Sequence, residues 1–109
     1  MKFRRSKYRA IPTVVDGIRF ASKKEAKRWS ELRLLERAGK IKNLRRQVPY
    51  PLTIKTKYVA DFVYEKAVSG PIYDLDETHV EDVKGYVTRE FKRKAKAMRE
   101  QHGIEVKVV

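Results

Sequence analysis

Thr78-His-Val-Glu-Asp-Val-Lys84, followed by Thr88-Arg-Glu-Phe-Lys-Arg-Lys-Ala-Lys-Ala-Met-Arg-Glu-Gln-His102 and then Ile104-Glu-Val-Lys-Val-Val109, reads as strand, helix and strand. The first piece is short and rich in β-branched residues. The second begins at Thr88, a good N-cap, carries Phe91, Ala95 and Met98 on one helical stripe, and stops at Gly103. The third alternates in character and suits a sheet edge. Two strands joined by a helix form a βαβ unit, which predicts that they are parallel with a right-handed crossover.

Working outward, Tyr58-Val-Ala-Asp-Phe-Val-Tyr-Glu65 predicts a second strand and Ile41 to Leu52 another, ending around Pro49 and Pro51. Residues 66–77, with Gly70 and Pro71, predict a loop. Upstream, Ser22-Lys-Lys-Glu25 has the form of a capping box and opens a helix that runs to about Ala38 and is closed by Gly39. Before it, Asp16-Gly17 between two β-rich pieces predicts a short hairpin with a type I′ turn. The expected fold class is α/β: an αβββαβ core on a mixed sheet, its first three strands an antiparallel meander, preceded by that hairpin. With 109 residues there is room for one domain over residues 12–109 and a basic arm over residues 1–11.

Charge sets the partner class. The chain has 27 Lys and Arg against 14 Asp and Glu, a net charge of +13, which favours a polyanion, nucleic acid being the commonest. There is no cysteine and there are two histidines, His79 and His102, so Cys- or His-built metal sites are excluded. No apolar run is long enough to span a membrane, and the basic N-terminus lacks the apolar stretch of a secretory signal. The expected location is the cytoplasm, that of the host if the chain is phage-encoded.

Against this background the acids are unevenly spread. Seven of the fourteen lie between residues 61 and 82, with Lys66 the one base among them. Asp74, Asp76 and Glu77 suit a solvated loop and lack the glycine and final glutamate of a calcium loop. Asp61 and Asp82 instead sit inside apolar strands, where an unpaired carboxylate is costly and needs a metal or a cationic partner. Asp82 and Lys84, two apart on a strand, project from one face, and Glu81 from the other, exposed or just behind the site. Two carboxylates can hold a divalent cation beside a phosphate, while a lysine orients or deprotonates water or stabilises developing charge. The alternative is a plain ion pair of Lys84 with Asp82 or Asp61. Glu25 likewise has two readings: the fourth residue of a capping box, or an acid on the Glu25, Trp29, Leu32 stripe that faces the sheet and meets the other carboxylates.

Asp61 with Asp82-Val83-Lys84 on the following strand, in that element order, resembles the PD-(D/E)xK nuclease superfamily. Phe20-Ala-Ser-Lys-Lys-Glu25 is similar to the helix start of phage endonuclease I resolvases and TnsA-type transposon-end nucleases. The resemblance covers roughly residues 18–109, with Ala60 in place of the proline of the motif and Asp82 in place of the commoner Glu. It implies a restriction-endonuclease-like core and Mg²⁺ or Mn²⁺ bound by Asp61, Asp82 and the Val83 carbonyl. It further implies that Lys84 serves the attacking water, Glu25 acts at the metal site, and the products carry 5′-phosphate and 3′-hydroxyl ends. Arg4 and Arg5 in the arm, Arg45 and Arg46 on the first long strand, and Lys92, Lys94 and Lys96 on the second helix are expected to touch phosphate. Tyr8, Tyr50, Tyr58 and Tyr86 are expected to pack rather than stack on bases.

With no base-reading element visible, recognition by shape and phosphate is expected, which suits a four-way DNA junction and a homodimer that makes paired cuts in it, with the hairpin at residues 13–20 and the arm as the expected dimer contact. The alternatives are a non-catalytic nucleic-acid-binding protein and a nuclease of the same fold acting on ends, nicks or mismatches.

Overall fold

In a computed structural model, residues 12–53, 55–66 and 78–109 are described. The arm, with Arg4, Arg5 and Tyr8, and most of the 66–77 loop, with Asp74, Asp76 and Glu77, lie outside the described residues. The elements follow one another as β1 (Thr13–Val15), β2 (Ile18–Phe20), α1 (Lys23–Arg37), β3 (Ile41–Leu52), β4 (Thr56–Lys66), β5 (Thr78–Asp82), α2 (Arg89–His102) and β6 (Val106–Val108).

The hairpin forms where the Asp-Gly dipeptide stands. Asp16 and Gly17 have φ of 53° and 74°, as a type I′ turn requires at both central positions. Asp16 also accepts a 3.1 Å hydrogen bond from Trp29 Nε1, which ties the turn to α1. Ser22 caps α1 by accepting from Glu25 N at 3.1 Å, and Thr88 caps α2 by accepting from Phe91 N at 3.0 Å. Gly103, at φ 66°, ends α2 in the left-handed conformation that glycine adopts without a Cβ clash.

β3, β4, β5 and β6 form one mixed sheet in that order. The first two pairings are antiparallel and β5–β6 is parallel, as the meander and the βαβ unit predict. Pro49 and Pro51 lie within β3, an edge strand with room for residues that cannot donate to a ladder.

The helices cover opposite faces. Ala26, Trp29 and Leu32 of α1 pack with Phe20, Ile41, Phe62 and Tyr64; Phe91 and Met98 of α2 pack with Tyr58, Ala60, Val63 and Val80. Trp29 lies between Phe20 and Phe62, with ring centroids 5.9 and 6.1 Å away. Each fully buried side chain of this size contributes roughly 1.5–3 kcal/mol through burial.

β4 departs from simple alternation. Tyr58 and Ala60 face α2, but Phe62 and Tyr64 face α1, so even-numbered residues change face across Asp61. β3 does the same across Gln47: Leu44 packs on the α1 side, with Arg46 over the Phe20 ring, whereas Val48, Tyr50 and Leu52 pack on the α2 side.

With both faces covered, β5 is buried from Val80 to Asp82. Glu81, expected to be exposed or just behind the site, is 1% exposed. It meets α1, where Arg28 Nε and Nη2 donate to its two carboxylate oxygens at 2.7 and 2.6 Å and the Tyr64 hydroxyl also donates to it. Burial alone raises a carboxylic acid, but the Arg28 and Tyr64 hydrogen bonds and the Arg28 charge outweigh it and hold Glu81 below its ordinary value.

Candidate functional site

β4 and β5 stay paired only to Phe62↔Glu81, whereas β5 continues alongside β6 to Asp82↔Val108. The two central strands therefore part at Asp61 and Asp82, and the sheet opens at its two strand-borne acids. The strand ends there, two residues before the Lys84 predicted from the sequence; beyond it Lys84 N donates to Val109 O at 3.4 Å.

Asp61 bridges the opening. Its Oδ2 accepts from Val83 N at 2.9 Å and its Oδ1 from the Gln47 side-chain amide at 3.2 Å. Its charge acts on acids from both faces, Glu25 on α1 and Asp82 on β5. Asp82 is 2% exposed, with Oδ2 accepting from the Tyr58 hydroxyl at 2.6 Å and Oδ1 3.5 Å from Lys84 Nζ. Burial pushes the Asp82 carboxyl up to about 7, Asp61 pushes the same way, and the Tyr58 hydrogen bond and Lys84 charge oppose. Tyr58 in turn is raised, first by burial and then by its bond to Asp82.

Glu25 is buried on the stripe it shares with Trp29 and Leu32. Burial and then the Asp61 charge raise its carboxyl, against the Ala21 N–H and the Arg46 charge. Its Oε2 accepts from Ala21 N at 3.4 Å, one residue before the Ser22 amide that a capping box would use. Glu25 thus closes the start of α1 loosely, through Ala21 rather than Ser22, while the Asp61 charge acts on its carboxyl.

Lys84 keeps Nζ 5.0 Å above the Phe91 ring as well as beside Asp82, and its carbonyl accepts from Lys24 Nζ at 3.1 Å. A cavity of about 390 Å³ opens from this point, lined by Asp82, Lys84, Lys57, Tyr58, Phe91 and Lys94 among others. Lys94 therefore belongs to the site's rim, while Lys92 and Lys96 lie exposed further along α2. Arg45 is exposed, donating Nε to Asn43 O at 3.1 Å. Arg46 is half-buried with its guanidinium 4.9 Å over Phe20, and its charge acts on Glu25.

The acids, Lys84 and Lys94 were legible as candidates; Gln47, Tyr58 and Lys57 were not. A tyrosine in an apolar strand looks like core, and a glutamine on an edge strand looks like solvent-facing polarity. Only the juxtaposition of β3, β4 and β5 distinguishes them.

A family model described as a protein of unknown function (DUF1064) matches residues 5–109. The chain belongs to the DUF1064 family. No curated protein and no solved structure matches it.

In this DUF1064 chain, no group of three or more His, Cys, Asp or Glu side chains stands in a ready-made metal-ligating arrangement among the described residues. Asp61 is engaged by Val83 and Gln47, and Asp82 by Tyr58 and Lys84. The donor set is nevertheless all oxygen on two partly paired carboxylates. That suits Mg²⁺ or Mn²⁺, which use one or two carboxylates and complete their shell with water and phosphate oxygens.

Proposed function

We propose that this DUF1064 chain is a metal-dependent DNA endonuclease with a restriction-endonuclease-like core, acting on branched DNA as a Holliday junction resolvase. One observation carries the reading: Asp61 and Asp82 stand where β4 and β5 part, Asp61 accepting from Val83 N at 2.9 Å beside Asp82, with Lys84 3.5 Å from Asp82. Crowding acids raises the free energy of the ionised site, and a divalent cation is the partner that would relieve it.

Asp61 and Asp82 would hold Mg²⁺ or Mn²⁺, with Glu25 and the Val83 carbonyl as further oxygen donors; the cation would neutralise the scissile phosphate and acidify a water. The protein's own groups do the remainder. Tyr58 keeps Asp82 in one orientation and favours its ionised form. Lys84, 3.5 Å from Asp82, orients the attacking water or stabilises charge that develops on the phosphate. Lys57 and Lys94 flank the cavity and neutralise the approaching backbone.

Branched DNA is favoured because the positive charge is spread over the rim and α2 without a base-reading element among the described residues, which leaves shape and phosphate as the means of recognition. A four-way junction has two-fold symmetry, so a homodimer is the matching form. The hairpin, with Val14 67% exposed, offers a contact for it.

The 3.5 Å Lys84–Asp82 pair also fits a second reading, a basic nucleic-acid-binding protein in which these residues are structural. Cleavage of a labelled junction by Asp61→Ala, Asp82→Ala and Lys84→Ala decides between them. The nuclease reading expects each to lose cutting while keeping a cooperative melt; full activity in any of them removes that residue from the site. Binding with no cutting by the unaltered protein favours the second reading.

A further inference from the structure

Gln47 has a backbone φ of 53° in the middle of a strand. A non-glycine residue pays a steric cost in this region, and glutamine is not among the residue types enriched there. Such outliers persist where surrounding structure enforces them and cluster at functional sites.

The strand register does not require this one. Asn43, also at positive φ, sits where the β3–β4 register shifts between Lys42 and Arg45, so its conformation absorbs an irregularity. Around Gln47 the register is the same on both sides, Arg46↔Phe62 and Val48↔Ala60. No inserted residue needs accommodating. What the conformation accompanies is the change of face of β3, opposite the matching change in β4 at Asp61. It also leaves the Gln47 amide donating to Asp61 Oδ1 at 3.2 Å, while Val83 N holds Oδ2 at 2.9 Å.

We propose that Gln47 is a positioning residue: its left-handed backbone presents the side-chain amide to Asp61, so that two donors fix the carboxylate for a divalent cation shared with Asp82. The inference rests on the nuclease reading and deepens it. An unheld aspartate would rotate toward solvent or toward Lys84, and the cation would meet it in many orientations. Groups that orient a ligand in this way affect metal affinity strongly although they never touch the metal.

The test compares Gln47→Gly and Gln47→Asn with the unaltered full chain. Glycine accepts positive φ without a clash but has no amide; asparagine tolerates the same backbone but is one methylene too short to reach Asp61 as Gln47 does. Mn²⁺ titration by calorimetry, thermal melting and Mg²⁺-dependent junction cleavage are measured for all three proteins. Both variants are expected to melt within a few degrees of the unaltered chain, to bind Mn²⁺ about tenfold more weakly or worse, and to lose kcat with little change in KM. Unaltered Mn²⁺ affinity and kcat in Gln47→Gly would overturn the inference while leaving the nuclease reading intact. Large destabilisation of both variants would also overturn it, since Gln47 would then be a structural residue. A parent chain that neither binds Mn²⁺ nor cuts DNA would overturn the nuclease reading first, and this inference with it.

Discussion

The Tyr58 hydroxyl donates a 2.6 Å hydrogen bond to Asp82 Oδ2, joining the α2-side core to the most deeply buried acid of the site. Because the bond favours the ionised carboxylate, Tyr58→Phe is expected to raise the Asp82 pKa further above its ordinary value. The acid limb of the cleavage pH profile should therefore move to higher pH. Stability should fall by about 1–3 kcal/mol, the cost of leaving a buried acceptor unpaired, as read from urea denaturation. An unmoved acid limb would mean that Asp82 does not govern it.

Asp82 and Glu25 contribute a pH dependence to the cation-free site. Both carboxyls are raised in the folded chain, Asp82 to about 7 from 3.8, so between these values the folded state holds more protons than the unfolded one. Stability at this site therefore declines as pH rises from about 4 to about 7. Asp82→Asn removes the buried charge and should raise the melting temperature at pH 8 without divalent cations while abolishing cleavage; about 1 kcal/mol corresponds to roughly 4–8 °C at this chain length. A lowered melting temperature at pH 8 would contradict the crowding of acids on which the site rests.

Mg²⁺ should stabilise the unaltered chain by mass action, about 2.7 kcal/mol at a concentration one hundred times Kd. Lys84→Ala should retain that stabilisation, since it removes a competitor for Asp82, yet lose about 10²–10⁴-fold in cleavage rate. Differential scanning fluorimetry with and without Mg²⁺, alongside single-turnover cleavage, separates binding from chemistry. Loss of both in Lys84→Ala would indicate a collapsed site.

Half-buried Arg28 and buried Glu81 form a separate pair whose removal tests the fold rather than the chemistry. Arg28→Ala strands the Glu81 carboxylate and should cost about 3–5 kcal/mol in urea denaturation, whereas Arg28→Met with Glu81→Leu should recover most of it. Glu81 is held below its ordinary value, so its contribution is present above the unfolded pKa and is lost as acid titrates through the lowered one. The loss caused by Arg28→Ala should accordingly shrink at low pH.

Much of the fold was legible because local signals agreed: Asp16-Gly17 for the turn, Ser22 and Thr88 for the caps, Gly39 and Gly103 for the helix ends. The candidate acids were legible because a carboxylate within an apolar strand is conspicuous against a net charge of +13. Strict alternation misled in two places. It left Glu81 on a solvent face that a sheet covered by helices on both sides does not have, and it could not foresee the change of face at Asp61 and Gln47. Those features depend on strands meeting across long stretches of chain, where no local pattern carries the information. The placement of Arg46 over Phe20 was hidden for the same reason, since the two are far apart in sequence.

Incubating the purified protein with a labelled four-way DNA junction and a matched linear duplex, each with Mg²⁺ or with EDTA, separates a resolvase from a non-catalytic binder. A resolvase leaves paired, symmetric nicks in the junction, with Mg²⁺ only, and an intact duplex. Tight binding to the junction with no cutting under any divalent cation would contradict the resolvase reading.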